Sequence, residues 1–276
     1  MPPTTAGFDA RRDALIRSLY SHRMAYQFDM VQSLTSVVHG DGAGSIREFV
    51  RGFAAHWAKP LGDEDGLAEA DLVAAEERLG LRLPPALREA YLLFGRRTDL
   101  TRNHDTLLGP SELYVDSGRE ALVFRHENQG AVSWGVLLEG LGEQDPAVFV
   151  RTDLADKSAE RWEPWLDRLS LALVETVLSE SVQADDELCD FLMDFDEHGV
   201  ELLEQKCVRL PFPAYPACEE EPGIRWFLGP DVLLRDDDGA ALYARGRTEE
   251  ALDGIRDLIP GDWLNDFRDV TPDDKV

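Results

Sequence analysis

Apolar positions along the chain come in short bursts whose spacing switches between helical and alternating. Near the start, Leu15, Leu19 and His22 fall on one helical stripe with Ile16 and Tyr20 beside it. Gly40-Asp41-Gly42-Ala43-Gly44 interrupts, and Ser45-Ile46-Arg47-Glu48 restarts a helix with a capping box. Phe49, Phe53 and Trp57, at i, i+4 and i+8, give that helix one apolar face. Pro60-Leu61-Gly62-Asp63-Glu64-Asp65-Gly66 reads as a linker. Beyond it Leu72, Ala75, Glu76 and Leu79 share a helix that Gly80 can close in the left-handed conformation. Leu81-Arg82-Leu83-Pro84-Pro85 makes a stiff bridge into a second helix, with Leu87, Tyr91 and Phe94 as its inner stripe and Gly95 as its stop.

The middle of the chain changes to strand-like runs. Glu112-Leu113-Tyr114-Val115, Ala121-Leu122-Val123-Phe124, Ser133-Trp134-Gly135-Val136-Leu137-Leu138 and Ala147-Val148-Phe149-Val150 are separated by Gly-, Asn- and Asp-rich turns. Connections this short favour an antiparallel meander, since parallel crossovers need a dozen or more residues. A helix introduced by Pro164 then carries Leu166, Leu169, Leu173 and Val177, and another is expected around Cys189 to Leu203. The sharpest local signal is Val232-Leu233-Leu234-Arg235 and Ala240-Ala241-Leu242-Tyr243-Ala244-Arg245 around Asp236-Asp237-Asp238-Gly239, a β-hairpin with an Asp-Gly tip. Thr248 can cap a last helix bearing Leu252, Ile255 and Ile259, which Pro260-Gly261 stops.

Charge changes this picture more than overall composition does. The 276 residues carry a formal net charge of −26, with a pI near 4.5. Residues 1–62 hold seven Lys or Arg against five Asp or Glu, a net of +2, so the acidity belongs to the chain beyond residue 62. An acidic surface repels phosphate backbones and anionic lipid, and so argues against direct binding to nucleic acid or membrane. A basic protein is its natural complement. No apolar run reaches the ~18 residues that would suggest a span. The opening residues also lack the basic start and apolar stretch of a signal peptide. Three cysteines, Cys189, Cys207 and Cys218, are too few and too scattered for a disulfide framework. A cytoplasmic protein with structural thiols is the expectation.

No residue pattern along the chain fits a catalytic, cofactor or metal site. The glycines at 40, 42 and 44 lack the following Lys and the preceding strand of a phosphate loop. His126-Glu127 opens a zincin pattern, but Gly130 stands where the second ligand is needed. His104-Asp105 has the composition of an acid–base pair, set in a polar loop. Asp236 is followed at the twelfth position by Arg247, where a calcium loop needs Glu. Candidate partner contacts are therefore drawn from acidic runs and from an amide pair beside a Trp. They are Glu219, Glu220 and Glu221 in one acidic run, Asp236, Asp237 and Asp238 at the hairpin tip, and Asn128 and Gln129 in a turn near Trp134.

Ala75-Glu76-Glu77-Arg78-Leu79-Gly80-Leu81-Arg82-Leu83-Pro84-Pro85-Ala86-Leu87-Arg88-Glu89-Ala90-Tyr91 resembles the opening helix, Leu-Gly to Leu-Pro bridge and second helix of the SUKH superfamily. That superfamily includes fungal cell-wall-assembly regulators and bacterial toxin-immunity proteins. Val123-Phe124-Arg125-His126-Glu127-Asn128-Gln129-Gly130, running into Trp134-Gly135, is similar to its central strands. The likeness is best over 67–180 and extends to about 270, with the hairpin and final helix completing the sheet. Two departures stand out: Ala68 where a capping Ser or Thr is expected, and Phe94-Gly95-Arg96-Arg97 in place of an Asn-Gly turn.

The resemblance implies an α+β fold, one SUKH-like domain over 63–270 with a mainly antiparallel sheet; residues 1–62 fall outside it and read from their spacing as a helical N-terminal extension, and 271–276 as a tail. It also implies a non-catalytic role in protein binding, such as neutralising a basic toxin of the nuclease kind. The alternatives are a regulatory scaffold of cell-wall assembly or signalling, and an enzyme built on His104, Asp105 or His126.

Overall fold

The computed structural model describes residues 28–40, 43–193, 195–216, 223–266 and 268. The stripe at 15–22 lies outside them. The first two helices are α1 (Met30–His39) and α2 (Ala43–Trp57), on either side of the glycine interruption. Asp29 caps α1 by accepting from the Gln32 amide at 2.9 Å. Phe49, Phe53 and Trp57 are buried along α2, and neighbouring rings stack. Their core is continuous with the rest of the molecule, because Phe28, Leu34, Val37 and Phe53 belong to the same buried cluster as Leu87, Phe94 and Leu173. The turn at residue 62 thus does not separate one core from another.

The helical corner comes next as α3 (Glu69–Leu79) and α4 (Pro85–Phe94), with the short α5 (Thr98–Thr101) after it. Gly80 ends α3 at φ 68°, the left-handed geometry that favours glycine. Ala68 offers no side chain as a cap, and Asp71 answers by accepting from the Ala68 amide at 3.2 Å. The bridge is set by Glu76, which is buried. Its carboxylate accepts from the Leu83 amide at 3.0 Å and from Arg88 at 2.7 Å and Arg82 at 2.9 Å. Those bonds hold its carboxyl below the usual range against the upward pull of burial.

The first sheet is the expected antiparallel meander. Strands β1 (Thr106–Leu107) and β2 (Tyr114–Val115) share one edge of β3 (Ala121–His126). Then come β4 (Val132–Leu137), β5 (Val148–Thr152) and β6 (Glu163–Leu166). Pro164 sits inside β6, an edge strand that tolerates a missing amide donor, rather than at a helix start. The helix begins later, as α6 (Leu169–Val182).

Every residue of α6 is buried, its serines and glutamates included. It is the axis of the molecule. It touches β6, the helices α1, α2, α4 and α5, and the strands β10 (Val232–Asp237) and β11 (Ala241–Gly246) of a second sheet.

That second sheet differs from the expectation that the hairpin completes the first. It runs β7 (Cys189–Met193), β11, β10, β9 (Ile224–Gly229), β8 (Val208–Arg209), all antiparallel. The segment from Cys189, expected as helix, is therefore strand at first, and helix only at α7 (Glu197–Lys206). One face of this sheet, with Trp226 and Leu233, packs into the α6 core. The other, with Phe227, Leu234 and Leu242, packs against Leu252, Ile255 and Ile259 at α8 (Glu249–Leu258). Thr248 caps α8 as expected, accepting from the Ala251 amide at 3.2 Å.

Candidate functional site

The hairpin shows how strand alternation redistributes an acidic run. Asp238 and Gly239 take φ of 57° and 75°, as a tight hairpin turn requires, and the Ala240 amide donates to Asp237 across it at 3.0 Å. The strand before the turn then points Asp236 inward, on the face that carries Leu234 and pairs with Leu242 and Arg225. Asp236 is 0% exposed, forms an ion pair with Arg225 and accepts from the Gly239 amide at 2.8 Å. Burial pushes its carboxyl up all the same. Asp237 is half-buried and pairs with Arg235 at 3.1 Å, and Asp238 is half-buried in the turn. The expected tip contact is corrected accordingly: Asp236 belongs to the interior and is closed to a partner.

Of the other candidates, Glu219, Glu220 and Glu221 lie outside the described residues. Asn128 and Gln129 are exposed in the turn between β3 and β4, which Glu127 organises by accepting from the Gln129 and Ala131 amides at 2.9 and 3.0 Å. The Asn128 amide nitrogen lies 3.2 Å from Nε2 of His104. Trp134 turns inward, edge-on to Trp165, with the Arg125 guanidinium 4.6 Å above its ring.

His104 and Asp105, though adjacent, face opposite ways. His104 is exposed and lines a cavity of about 300 Å³ with Asp185, Asp186 and Tyr243 among its walls; neither Asp105 nor His126 reaches it. His126 is held between the Tyr114 hydroxyl and the Ser133 hydroxyl, each at 3.0 Å. Asp105 turns into the core.

There it joins a charged cluster that the linear sequence does not announce. Arg125, 2% exposed, donates to Glu175 at 2.6 Å, Asp105 at 2.8 Å and Glu180 at 3.3 Å. Glu175 also accepts from the Tyr215 hydroxyl at 3.0 Å, which in turn accepts from the Trp226 indole at 3.0 Å. Glu180 receives three backbone amides, from Asn103, His104 and Asp105, at 2.6, 2.7 and 3.1 Å. The loop before β1, strand β3, helix α6 and the second sheet are thereby tied at one point.

Burial lowers the Arg125 affinity for its proton, but Glu175, Asp105 and Glu180 together outweigh it and the guanidinium stays charged. Burial raises the carboxyls of Asp105 and Glu180. Glu180 has its amides, whereas Oδ1 of Asp105 is buried with no hydrogen-bond partner. Such a network fixes geometry and offers no exposed nucleophile or base.

A carboxyl raised on folding binds its proton more tightly folded than unfolded. Its contribution to stability is therefore full below its unfolded value and fades as pH rises through the folded one. Asp105→Asn removes that slope, so the deficit of the variant against wild type should shrink as pH rises from about 4 to about 7. Urea unfolding across that range measures it, and a deficit that stays level or grows would refute the assignment.

Three more arginines turn inward, among others that stay exposed. Arg168 donates to the Gly40 and Val37 carbonyls at the end of α1, at 3.0 and 3.1 Å. Arg245 binds the Ser181 and Trp57 carbonyls at the ends of α6 and α2, at 2.8 and 2.9 Å. Arg256 turns under α8 to Asp190 at 2.8 and 2.6 Å. Cations near helix C-termini are well placed. With these guanidiniums turned inward, exposed carboxylates dominate the outer helices: Glu201 and Glu204 on α7, and Glu249, Glu250 and Asp257 on α8. Among the described residues, no three His, Cys, Asp or Glu side chains are grouped to hold a metal ion, and no helix is long and apolar enough to cross a membrane. Comparison with family models, curated proteins and solved structures returns no match.

Proposed function

We propose that the chain is a non-catalytic protein-binding module whose acidic outer surface takes a basic protein partner, in the manner of a toxin-immunity or adaptor protein. The observation that supports this most is the charge of the outer helices: Arg168, Arg245 and Arg256 turn inward onto helix ends and a buried carboxylate, while α7 and α8 present Glu201, Glu204, Glu249, Glu250 and Asp257 outward. Such a surface speeds encounter with a cationic protein and disfavours nucleic acid and anionic lipid. The SUKH resemblance of the α3–α4 corner points to the same class, with a nuclease toxin as the type of basic partner. Free thiols at Cys189 and Cys207 suit a cytoplasmic setting.

The test is capture by the tagged full chain from the cells that make it, at low and then raised salt. The expected result is a basic protein held at low salt and released as salt rises. Recovery of no partner, or only of partners indifferent to salt, would overturn the reading.

A further inference from the structure

Helix α8 contains a glycine that its own fold does not need. Gly254 lies mid-helix and exposed, and a Cβ there would meet nothing within 4 Å. Glycine suits a helix interior worst after proline, and no turn or close approach asks for it here. Gly254 instead lines a groove of about 580 Å³. The floor is apolar, from Ala251, Ile255 and Leu258 of α8 and Val232 of β10, with Cys207 behind. Val208, next along the chain, is 54% exposed.

The rim is charged unevenly. Glu250, one turn before Gly254, stands over the groove with Glu249 beside it in the exposed first turn of α8. Asp231 on the facing turn is paired with Arg247 at 2.6 Å, and Lys206 is the cation on the third side. The one arginine of α8 is turned away beneath the helix. With Asp231 engaged by Arg247, the acidic edge of the slot is the α8 side, at Glu250 and the neighbouring Glu249. An apolar slot beside that edge fits a large apolar side chain flanked by Lys or Arg.

We infer that this groove is the anchor point for the basic partner, taking one bulky apolar side chain of a cationic segment beside Gly254. The inference rests on the acidic-surface reading and adds to it a place and a required side chain. It is tested by panning a random dodecamer peptide library against the full chain. Selected peptides are then measured as synthetic peptides against wild type, Gly254→Leu and Gly254→Ala.

Both substitutions point into open space and favour the helix, so neither should lower the melting temperature. That separates a blocked groove from a lost fold. Expected are peptides with Lys or Arg around one large apolar residue, losing about tenfold in affinity with Gly254→Leu and when that residue is replaced by Ala. Basic peptides that bind Gly254→Leu as tightly as wild type would overturn the groove and leave the acidic-surface reading standing. A library yielding no basic peptides would overturn both. A dimer in light scattering that Gly254→Leu dissolves would assign the groove to a second copy instead, and so overturn the basic-partner anchor.

Discussion

Arg125→Met is expected to lower the free energy of unfolding by about 3–5 kcal/mol, the loss typical of removing one partner from a buried ion pair. Methionine replaces the aliphatic stem and fills irregular space, so the missing charge should dominate over the missing volume. Glu175 and Asp105 would each lose a guanidinium within 2.8 Å, and Glu180 one at 3.3 Å. Arg235, the nearest replacement, is engaged with Asp237 at 3.1 Å and reaches only the Ser179 hydroxyl on α6, at 3.3 Å. The loss should shrink as pH falls, because the orphaned carboxyls can then protonate. Adding Glu175→Gln should restore some of it, on the order of 0.5–3 kcal/mol of coupling. Urea unfolding of both variants reads this directly. A loss under about 1 kcal/mol would mean that Arg125 fills space without holding the elements together.

The features of the fold legible in the sequence are those made by neighbours in the chain. The Gly80 stop, the Leu83-Pro84-Pro85 bridge, the Thr248 cap and the Asp238-Gly239 turn are each fixed within a few residues, and each forms as the spacing predicts. Cys189–Met193 was not legible as strand, since a short apolar run reads equally as a piece of helix. Ile224–Gly229 gives no comparable signal in the sequence, although its pairing with Val232–Asp237 is one of the four strand pairings of the second sheet.

The charged cluster was hidden for a different reason. Arg125 and Glu175 are 50 residues apart, and only the packing of β3 on α6 brings them together. One signal could have exposed it. Leu169–Val182 scatters Ser, Thr and Glu around an otherwise apolar helix, and a helix without a polar face is buried. Its glutamates then need cations from elsewhere, and Arg125, directly after the apolar run Ala121-Leu122-Val123-Phe124, is one candidate beside Arg235 and Arg245 in the hairpin strands. The exposed acidity was legible as a total. Its placement on α7 and α8 was not, because that depends on which arginines turn inward.

Asp236→Lys is expected to cost about 3–5 kcal/mol, and for this reason it cannot serve as a probe of partner binding. The lysine would enter a face shared with Leu234 and Leu242, beside an Arg225 that is itself largely buried, and the turn would lose the acceptor of its Gly239 amide. Asp236→Asn keeps the shape and an acceptor, and should cost about 1–3 kcal/mol. Glu201→Lys with Glu204→Lys makes the contrast. Both side chains are exposed on α7, and Glu204 lies in its last turn, where the dipole favours cations, so stability should move by no more than about 0.5 kcal/mol. If acidity on the outer helices serves a basic partner, this second pair should weaken capture while leaving unfolding unchanged, and Asp236→Asn should do the reverse. Equal effects on capture from both would tie the partner to the integrity of the fold and detach it from the surface charge. An unchanged stability for Asp236→Lys would mean that the hairpin can turn this side chain out to water. The acidic surface would then extend to the tip of the second sheet.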